Sequence, residues 1–167
     1  MDKGTEHEIY AIPNDPNVLV KVGKKEIVDK WVMVFKSNPK IFPKVIDSGV
    51  LKDGRGYGVI EKLETKRVVD EWHQMEMALE LVGVVDTDVF EDTIDQVFID
   101  VIFGKRDGNK IYYALANDPA SQALYKKWMN FLIKAADYMM SNSYGGLDLH
   151  RYNFGYDKRG TIKSLDI

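Results

Sequence analysis

Residues 145–167 read GGLDLHRYNFGYDKRGTIKSLDI and carry Asp148, Asn153 five positions later and Asp166 thirteen positions after that. Transfer of a phosphoryl group from ATP needs one carboxylate that orients and deprotonates the attacking hydroxyl, and oxygen ligands that hold magnesium against the phosphates. The three polar residues supply that set in the usual order. Taken alone, they are equally compatible with a surface loop that has an unrelated acid downstream.

The residues on either side of this set predict a helix before it and a pair of strands after it. Residues 121–140 place apolar side chains at helical spacing and end shortly before Asp148. Residues 157–160, DKRG, are a turn signal between two short apolar runs. We therefore expect Asn153 and Asp166 at the two ends of paired strands, where both can face one metal site.

This spacing resembles that of the protein-kinase-like superfamily. The run Asp148-Leu-His-x-x-Asn153 is more similar to aminoglycoside and choline phosphotransferases and to phage-encoded serine/threonine kinases than to the eukaryotic loop, which has His-Arg before the Asp and Lys two residues after it. Here His150 takes the Lys position. The resemblance implies that Asp148 is the catalytic base and that Asn153 and Asp166 bind Mg²⁺, with ATP as co-substrate. His150 either contacts a phosphate or braces the loop by hydrogen bonding.

Residues 4–22 predict a β-hairpin with a lysine in its second strand. Residues 8–12 alternate in polarity, PNDP at 13–16 forms the turn, and residues 18–22, VLVKV, are apolar except for Lys21. A lysine in such a strand either reaches solvent from an edge strand or points at an anion. In kinases the lysine at this place binds the α- and β-phosphates.

The same segment resembles phage serine/threonine kinases expressed early in infection, which carry a Gly-x5-Tyr run, a Pro-containing turn and Lys-Val-Gly followed by basic residues. The matching residues are Gly4, Tyr10, Lys21, Val22, Gly23, Lys24 and Lys25. The resemblance implies that Gly4 belongs to a one-glycine form of the loop that covers the phosphates, and that Lys21 belongs to both the catalytic and the nucleotide-binding sets.

Residues 24–36 predict an amphipathic helix that packs against the sheet. Kinases place an acid on this helix to pair with the strand lysine. Asp29 lies at about the family distance from residues 42–45, and Glu26 lies one turn nearer the N-terminus. Both acids are also compatible with solvated helix charges, so the partner of Lys21 stays open, with Asp29 as the candidate.

Residues 41–48 and 56–63 predict two further strands. In the family the second leads to a hinge where backbone groups bind adenine, which implies roles for Glu61 and Leu63. We expect an α+β, minimal bilobal kinase-like fold. Its lobes are residues 1–65, a five-stranded antiparallel sheet with one helix, and residues 66–167, a reduced helical lobe with helices over 68–82, 90–103 and 121–140.

Composition restricts the remaining possibilities. The 167 residues suit one domain, or two small lobes that share one cleft, and a net charge of −3 gives no general basic field for nucleic acid or membrane binding. The chain has no cysteine, no signal-peptide core and no apolar run of membrane-spanning length. We expect a cytoplasmic protein, in the host cytoplasm if it is phage-encoded. The acids between residues 86 and 100 read as a solvated face.

The resemblance implies an ATP-dependent phosphotransferase, a minimal phage-type serine/threonine kinase that acts on host or phage proteins. A small-molecule phosphotransferase and a catalytically silent kinase-like binding protein remain as alternatives. Ile167, the last residue of the sequence, directly follows Asp166, so the Phe-Gly and activation segment of the family do not follow it. A minimal kinase, a truncated chain and a degenerate relative that binds nucleotide poorly each explain this departure. Substrate identity and oligomeric state do not follow from the sequence.

Overall fold

The computed structural model of the chain describes residues 7–86 and 93–165, so the expected site residues Gly4 and Asp166 lie outside the described residues. The described part is α+β, with a four-stranded antiparallel sheet and five α-helices. Its contacts divide it into two units. The first contains the chain up to Glu64 together with Gly155–Leu165, and the second contains Thr65–Phe154.

The first unit is built on the four-stranded sheet. Its elements are β1 (His7–Ile12), β2 (Asp15–Gly23), α1 (Lys25–Ser37), β3 (Val45–Val50) and β4 (Gly56–Glu61). The strand order is β1-β2-β4-β3, and all neighbours are antiparallel. The expectation of five strands is wrong for the described residues. Residues 41–44 do not extend β3, because the N–H groups of Ile41 and Phe42 donate to the Asn38 carbonyl in a helical turn.

The helix α1 packs its apolar face on this sheet. Its buried residues are Val28, Trp31, Val32, Val34 and Phe35. The Trp31 ring fits because the sheet has a glycine beneath it: a Cβ added at Gly58 would lie 2.3 Å from Cη2 of Trp31. Gly58 stands opposite Lys21 in the β2–β4 register. The missing side chain therefore lets α1 approach the sheet at the position of the lysine.

The chain returns to the first unit through a two-stranded sheet, β5 (Phe154–Tyr156) and β6 (Ile162–Ser164). Its turn forms over the expected DKRG residues, where the Asp157 carboxylate accepts hydrogen bonds from the N–H groups of Arg159 and Thr161. The Ser164 N–H donates to the Ile41 carbonyl at 2.7 Å. These pairings explain why residues 155–165 belong with the sheet, although they were expected in the helical lobe.

The second unit is helical, with α2 (Lys66–Leu81), α3 (Ile94–Ile102), α4 (Gly108–Ala114), α5 (Pro119–Ser141) and a 3-10 turn at Arg151–Asn153. Its core is aromatic: Trp72 and Trp128 are fully buried and meet edge to face at 5.2 Å, and both contact Phe154. The helix α4 has no counterpart in the sequence prediction. Of the helices in the described residues, none is long and apolar enough to cross a membrane.

The close contact between the Trp31 ring and Gly58 allows a test of the packing in the first unit. Gly58→Ala puts a methyl group against the Trp31 ring, which must move, so we expect a loss of about 1–3 kcal/mol in the free energy of unfolding. The control is Gly146→Ala, where no described atom lies within 4 Å of the added carbon and about 0.5 kcal/mol or less should be lost. Urea unfolding measures both. Equal stabilities of the two variants would contradict this packing.

Candidate functional site

Lys21 lies on an inner strand of the sheet and is buried, with 4% of its surface exposed. Its ammonium group donates a hydrogen bond of 2.9 Å to the Leu165 carbonyl, and it lies 5.5 Å from the centre of the Trp31 ring and 5.8 Å from that of Phe35. The alternative of an exposed lysine on an edge strand is therefore wrong. Its position in the fold is that of a fixed internal cation.

Burial of this cation needs compensation. An ammonium group removed from water costs several kcal/mol unless polar groups replace its hydration. The Leu165 carbonyl and the negative faces of the two aromatic rings supply part of that replacement. Leu165 is also the residue directly before Asp166 in the chain. The hydrogen bond thus ties the lysine to the residue that precedes the expected metal ligand in the chain.

The acids of α1 do not pair with this lysine. The Asp29 carboxylate is exposed and forms an ion pair with Lys25, one turn earlier on the same helix. The expected pair between Asp29 and Lys21 is therefore corrected. The reason is helical geometry: Asp29 precedes Trp31 by two residues, about 200° around the axis, so a helix that packs Trp31 on the sheet turns Asp29 to solvent. Glu26 is exposed as well.

The loop from Asp148 to Asn153 is closed by hydrogen bonds within itself. The Asn153 side-chain amide donates to the Asp148 carbonyl at 3.3 Å, and the backbone of His150 donates to Asp148 and accepts from Asn153. Within the described residues, the Asp148 carboxylate has neither a hydrogen bond nor an ion pair, and the Asn153 amide oxygen accepts no hydrogen bond. The loop backbone is thus fixed, and both oxygen groups are left available to a ligand.

His150 supports this loop through its backbone. Its N–H and carbonyl form the two bonds just described, while its ring is exposed and lies 5.1 Å from the Tyr152 ring. The described residues provide no hydrogen bond to the ring. The expectation that His150 braces the loop is met by its main-chain atoms, and the other expected role, contact with a phosphate, stays a prediction.

An arginine inside the loop anchors it to two helices. Arg151 places Nη2 2.6 Å from Oε2 of Glu76 on α2 and 3.8 Å from Oδ1 of Asp95 on α3. The longer distance exceeds that of a hydrogen bond. Oδ1 of Asp95 is therefore buried without a hydrogen-bond partner among the described residues, and the charge of Arg151 attracts it from 3.8 Å. Sequence reasoning missed this cluster and placed Asp95 on a solvated face. The available signal was an arginine between Asp148 and Asn153 in the sequence.

Burial affects the protonation of Asp95. Desolvation raises the pKa of its carboxyl above the ordinary value of 3.8, and the charges of Arg151 and His150 oppose that rise. The nearby carboxylates of Glu76 and Asp148 act in the same direction as desolvation. Folding therefore disfavours the charged form of Asp95. This carboxyl lies directly beside the loop.

The segment after β4 contains the expected adenine-binding backbone. Glu61 uses its N–H to donate to the Lys44 carbonyl and its side chain to accept from the Lys44 N–H at 2.7 Å. Lys62 donates to the Asn17 carbonyl. The N–H and carbonyl of the buried Leu63 form no hydrogen bond within the part of the chain that is described. Of the two expected residues, Leu63 therefore retains free backbone groups, whereas the N–H and side chain of Glu61 are occupied.

Comparison of the sequence with models of protein families and with curated proteins gives no match. The resemblance to kinases accordingly rests on residues of this chain. In residues 7–86 and 93–165, no group of three or more His, Asp or Glu side chains is placed to hold a metal ion. Asn153 contributes one amide oxygen, and the second expected ligand, Asp166, lies outside this part.

The raised pKa of Asp95 predicts a pH dependence of stability. A carboxyl whose pKa is higher in the folded state binds more protons there, so stability falls as pH rises from about 4 through the folded pKa. Asp95→Asn removes this contribution. We therefore expect the free energy of unfolding of Asp95→Asn, minus that of wild type, to increase as the pH rises from about 4 to 7, so that the variant becomes more stable relative to wild type.

Urea unfolding of the two proteins across that range gives the difference directly. The exposed Asp137→Asn controls for the loss of one negative charge in the second unit. A difference between Asp95→Asn and wild type that stays constant, or that moves in the opposite direction, would show that Arg151 outweighs desolvation at this position.

Proposed function

We propose that the chain is an ATP-dependent phosphotransferase of the protein-kinase type, which transfers the γ-phosphoryl group of Mg-ATP to a Ser or Thr hydroxyl of a protein. The observation that carries this proposal is the buried ammonium of Lys21, whose hydrogen bond to Leu165 holds it beside the segment that leads to Asp166. A site for triphosphate needs a fixed cation, and a buried lysine in this position can supply it.

The loop supports the same reaction. The exposed Asp148 carboxylate can accept the proton of the attacking hydroxyl while that oxygen bonds to the γ-phosphorus and the bond to the β–γ bridging oxygen breaks, leaving ADP. The Asn153 amide uses its N–H on the Asp148 carbonyl, which orients its oxygen for a hard cation. This arrangement fits Mg²⁺, held by Asn153 and Asp166. The bound metal would neutralise phosphate charge.

The two units correspond in composition to the lobes of a minimal bilobal kinase-like fold. The first contains an antiparallel sheet with one packed helix, and the second contains helices followed by the loop. In the first unit, Lys21 opposes phosphate charge and Leu63 offers backbone groups to adenine. Asp148 and Asn153 of the second unit supply the base and a metal ligand. We place the reaction in the cytoplasm, with ATP and a protein as partners.

Labelling of a bacterial lysate tests the reaction. With γ-labelled ATP and magnesium, we expect the wild-type protein to label polypeptides. Asp148→Asn should lower the rate by about 10²–10⁴-fold, because it removes the base without removing nucleotide contacts. Asp137→Asn, the same change at an exposed position of α5, should leave the rate unchanged. A labelled small metabolite would instead support a small-molecule phosphotransferase. Failure to label anything would remove the proposed activity.

Thermal melting with Lys21→Met tests nucleotide binding without turnover. Methionine keeps an apolar stem and removes the cost of burying a charge, which offsets the lost bond to Leu165, so the melting temperature without ligand should stay near that of wild type. Mg-ATP at about 100 times its Kd stabilises a folded protein by about 2.7 kcal/mol. We expect this shift in wild type and a smaller one in Lys21→Met.

Lys163→Met is the matched control for this measurement. Lys163 is also buried in the first unit, and its amine donates to a backbone carbonyl, that of Pro39. Loss of a buried lysine that donates to a carbonyl is therefore common to both variants, although Lys163 also lies 3.7 Å from the Asp157 carboxylate. We expect Lys163→Met to keep the shift on addition of Mg-ATP. Equal shifts in wild type and Lys21→Met would exclude Lys21 from the nucleotide site.

A further inference from the structure

A cavity of about 400 Å³ opens within the second unit, between the end of α3, the start of α4 and the middle of α5. Its lining combines apolar side chains, Val101, Met129 and Ile133, with the aromatic rings of Tyr112 and Tyr113. This volume lies within the range of ligand-binding clefts, about 300–1,000 Å³. We call it the α4–α5 cleft.

The α4–α5 cleft is held open by contacts of α4 with its neighbours. Gly108 lets α4 approach α3, since a Cβ at this position would lie 2.8 Å from Cγ1 of Val101. The Tyr125 hydroxyl donates to the Gly108 carbonyl at 3.3 Å, and the Gln122 amide donates to the Tyr112 carbonyl at 2.8 Å. Both ends of this short helix are thus tied to α5. When a ligand enters a preformed cleft, little binding free energy is lost in ordering the side chains of the protein.

The charges around the cleft are mostly positive. Residues 101–134 contain six basic residues, Lys105, Arg106, Lys110, Lys126, Lys127 and Lys134, and two acidic ones, Asp107 and Asp118, in a chain whose net charge is −3. Arg106 and Lys127 pair with acids of α3 and α2. The other four lysines form no ion pair within the described residues. Residues 101–134 are therefore a basic stretch of an acidic chain, and all four of these lysines are exposed. We call the exposed surface of this stretch the basic face; it attracts negative charge.

The charged residues that line the cleft itself are one lysine and one aspartate. The ammonium of Lys126 lies 6.0 Å from the centre of the Tyr112 ring, at the border between the aromatic wall and solvent. Asp107 is the one acid among the lining residues, and its carboxylate accepts hydrogen bonds from the N–H groups of Asn109 and Lys110. Asp107 thereby caps the first turn of α4. The cation remains available to a ligand.

Two of the lining residues are large and yet exposed. Tyr113 has 71% of its surface exposed and Ile133 has 41%. Single exposed apolar residues are ordinary, but here they stand together with a preformed apolar cleft and a basic face. A partner that covers them must combine an apolar anchor with negative charge, which is the chemistry of an acidic peptide with one large apolar side chain.

We propose that the α4–α5 cleft is a docking site for an acidic protein segment. The segment inserts one large apolar side chain between Met129 and the tyrosine wall and places carboxylates at Lys126. A cleft of this volume takes one or two side chains, so the rest of the segment extends over the basic face. The site is separate from Asp148 in its residues, and its existence does not depend on phosphoryl transfer.

Selection from a displayed library of random peptides tests this site on the intact protein without ATP. We expect the enriched peptides to share a large apolar residue flanked by Asp or Glu. A labelled synthetic copy of such a peptide, followed by fluorescence anisotropy, should bind about 10-fold more weakly to Lys126→Glu and to Tyr113→Ala. Both positions are exposed, so thermal melting should confirm that the variants fold.

Matched controls lie on the same unit. Lys66→Glu makes the same charge change at an exposed position of α2, and Phe103→Ala removes an aromatic ring that is 64% exposed; neither residue lines the cleft. Both controls should bind the peptide within about 2-fold of wild type. No enrichment, enrichment of basic or uncharged peptides, or equal binding to wild type and Lys126→Glu would overturn the proposal. So would a poly-dT oligonucleotide that displaces the peptide and itself requires Lys126, since the face would then bind nucleic acid.

Discussion

The hydrogen bond between the Lys21 ammonium and the Leu165 carbonyl connects the parts of the first unit. An ammonium group inside a sheet is stable only when its surroundings replace water. The inner position of β2 buries the lysine, α1 brings two aromatic rings over it, and Gly58 leaves the space that one of those rings needs. The hairpin β5–β6 delivers the carbonyl. Sheet, helix and hairpin are thus arranged around one positive charge.

In the loop of the second unit, the candidate functional group is exposed, whereas the side chains that anchor the loop are mostly buried. Asp148 faces solvent, while the backbone of His150 and the amide of Asn153 fix the loop from inside. Arg151 ties this loop to two helices through carboxylates that are mostly buried. In the proposed reaction, a loop backbone held in this way would need little reorganisation on substrate binding.

The sequence predicts the regular elements well and the long-range contacts poorly. Apolar periodicity locates α1, α2 and α5 within a few residues, since a packed helix must repeat every 3.6 residues. The helix α4 escapes the same reasoning because it has seven residues, too few to show a period. The spacing of Asp148 and Asn153 indicates from the sequence that this loop is a candidate site. It does not reveal Arg151, whose partner Glu76 lies 75 positions earlier.

The sequence also does not determine which charged side chains are buried. A lysine in an apolar strand has two interpretations, and only the strand order β1-β2-β4-β3 decides that Lys21 is internal. Asp29 matches the family spacing, yet the face on which its helix packs turns it toward Lys25. Asp95 reads as one of a run of solvated acids and lies instead beside Arg151. Each of these outcomes depends on tertiary packing.

Nuclear magnetic resonance with a paramagnetic metal tests the proposal that Lys21 binds the phosphates of metal-bound ATP. Replacement of Mg²⁺ by Mn²⁺ in the ATP complex broadens the signals of nuclei close to the ion. The account predicts that the side-chain signals of Lys21 broaden with Mn-ATP, while those of Lys163 stay sharp. Sharp signals from Lys21 at saturating Mn-ATP would contradict it.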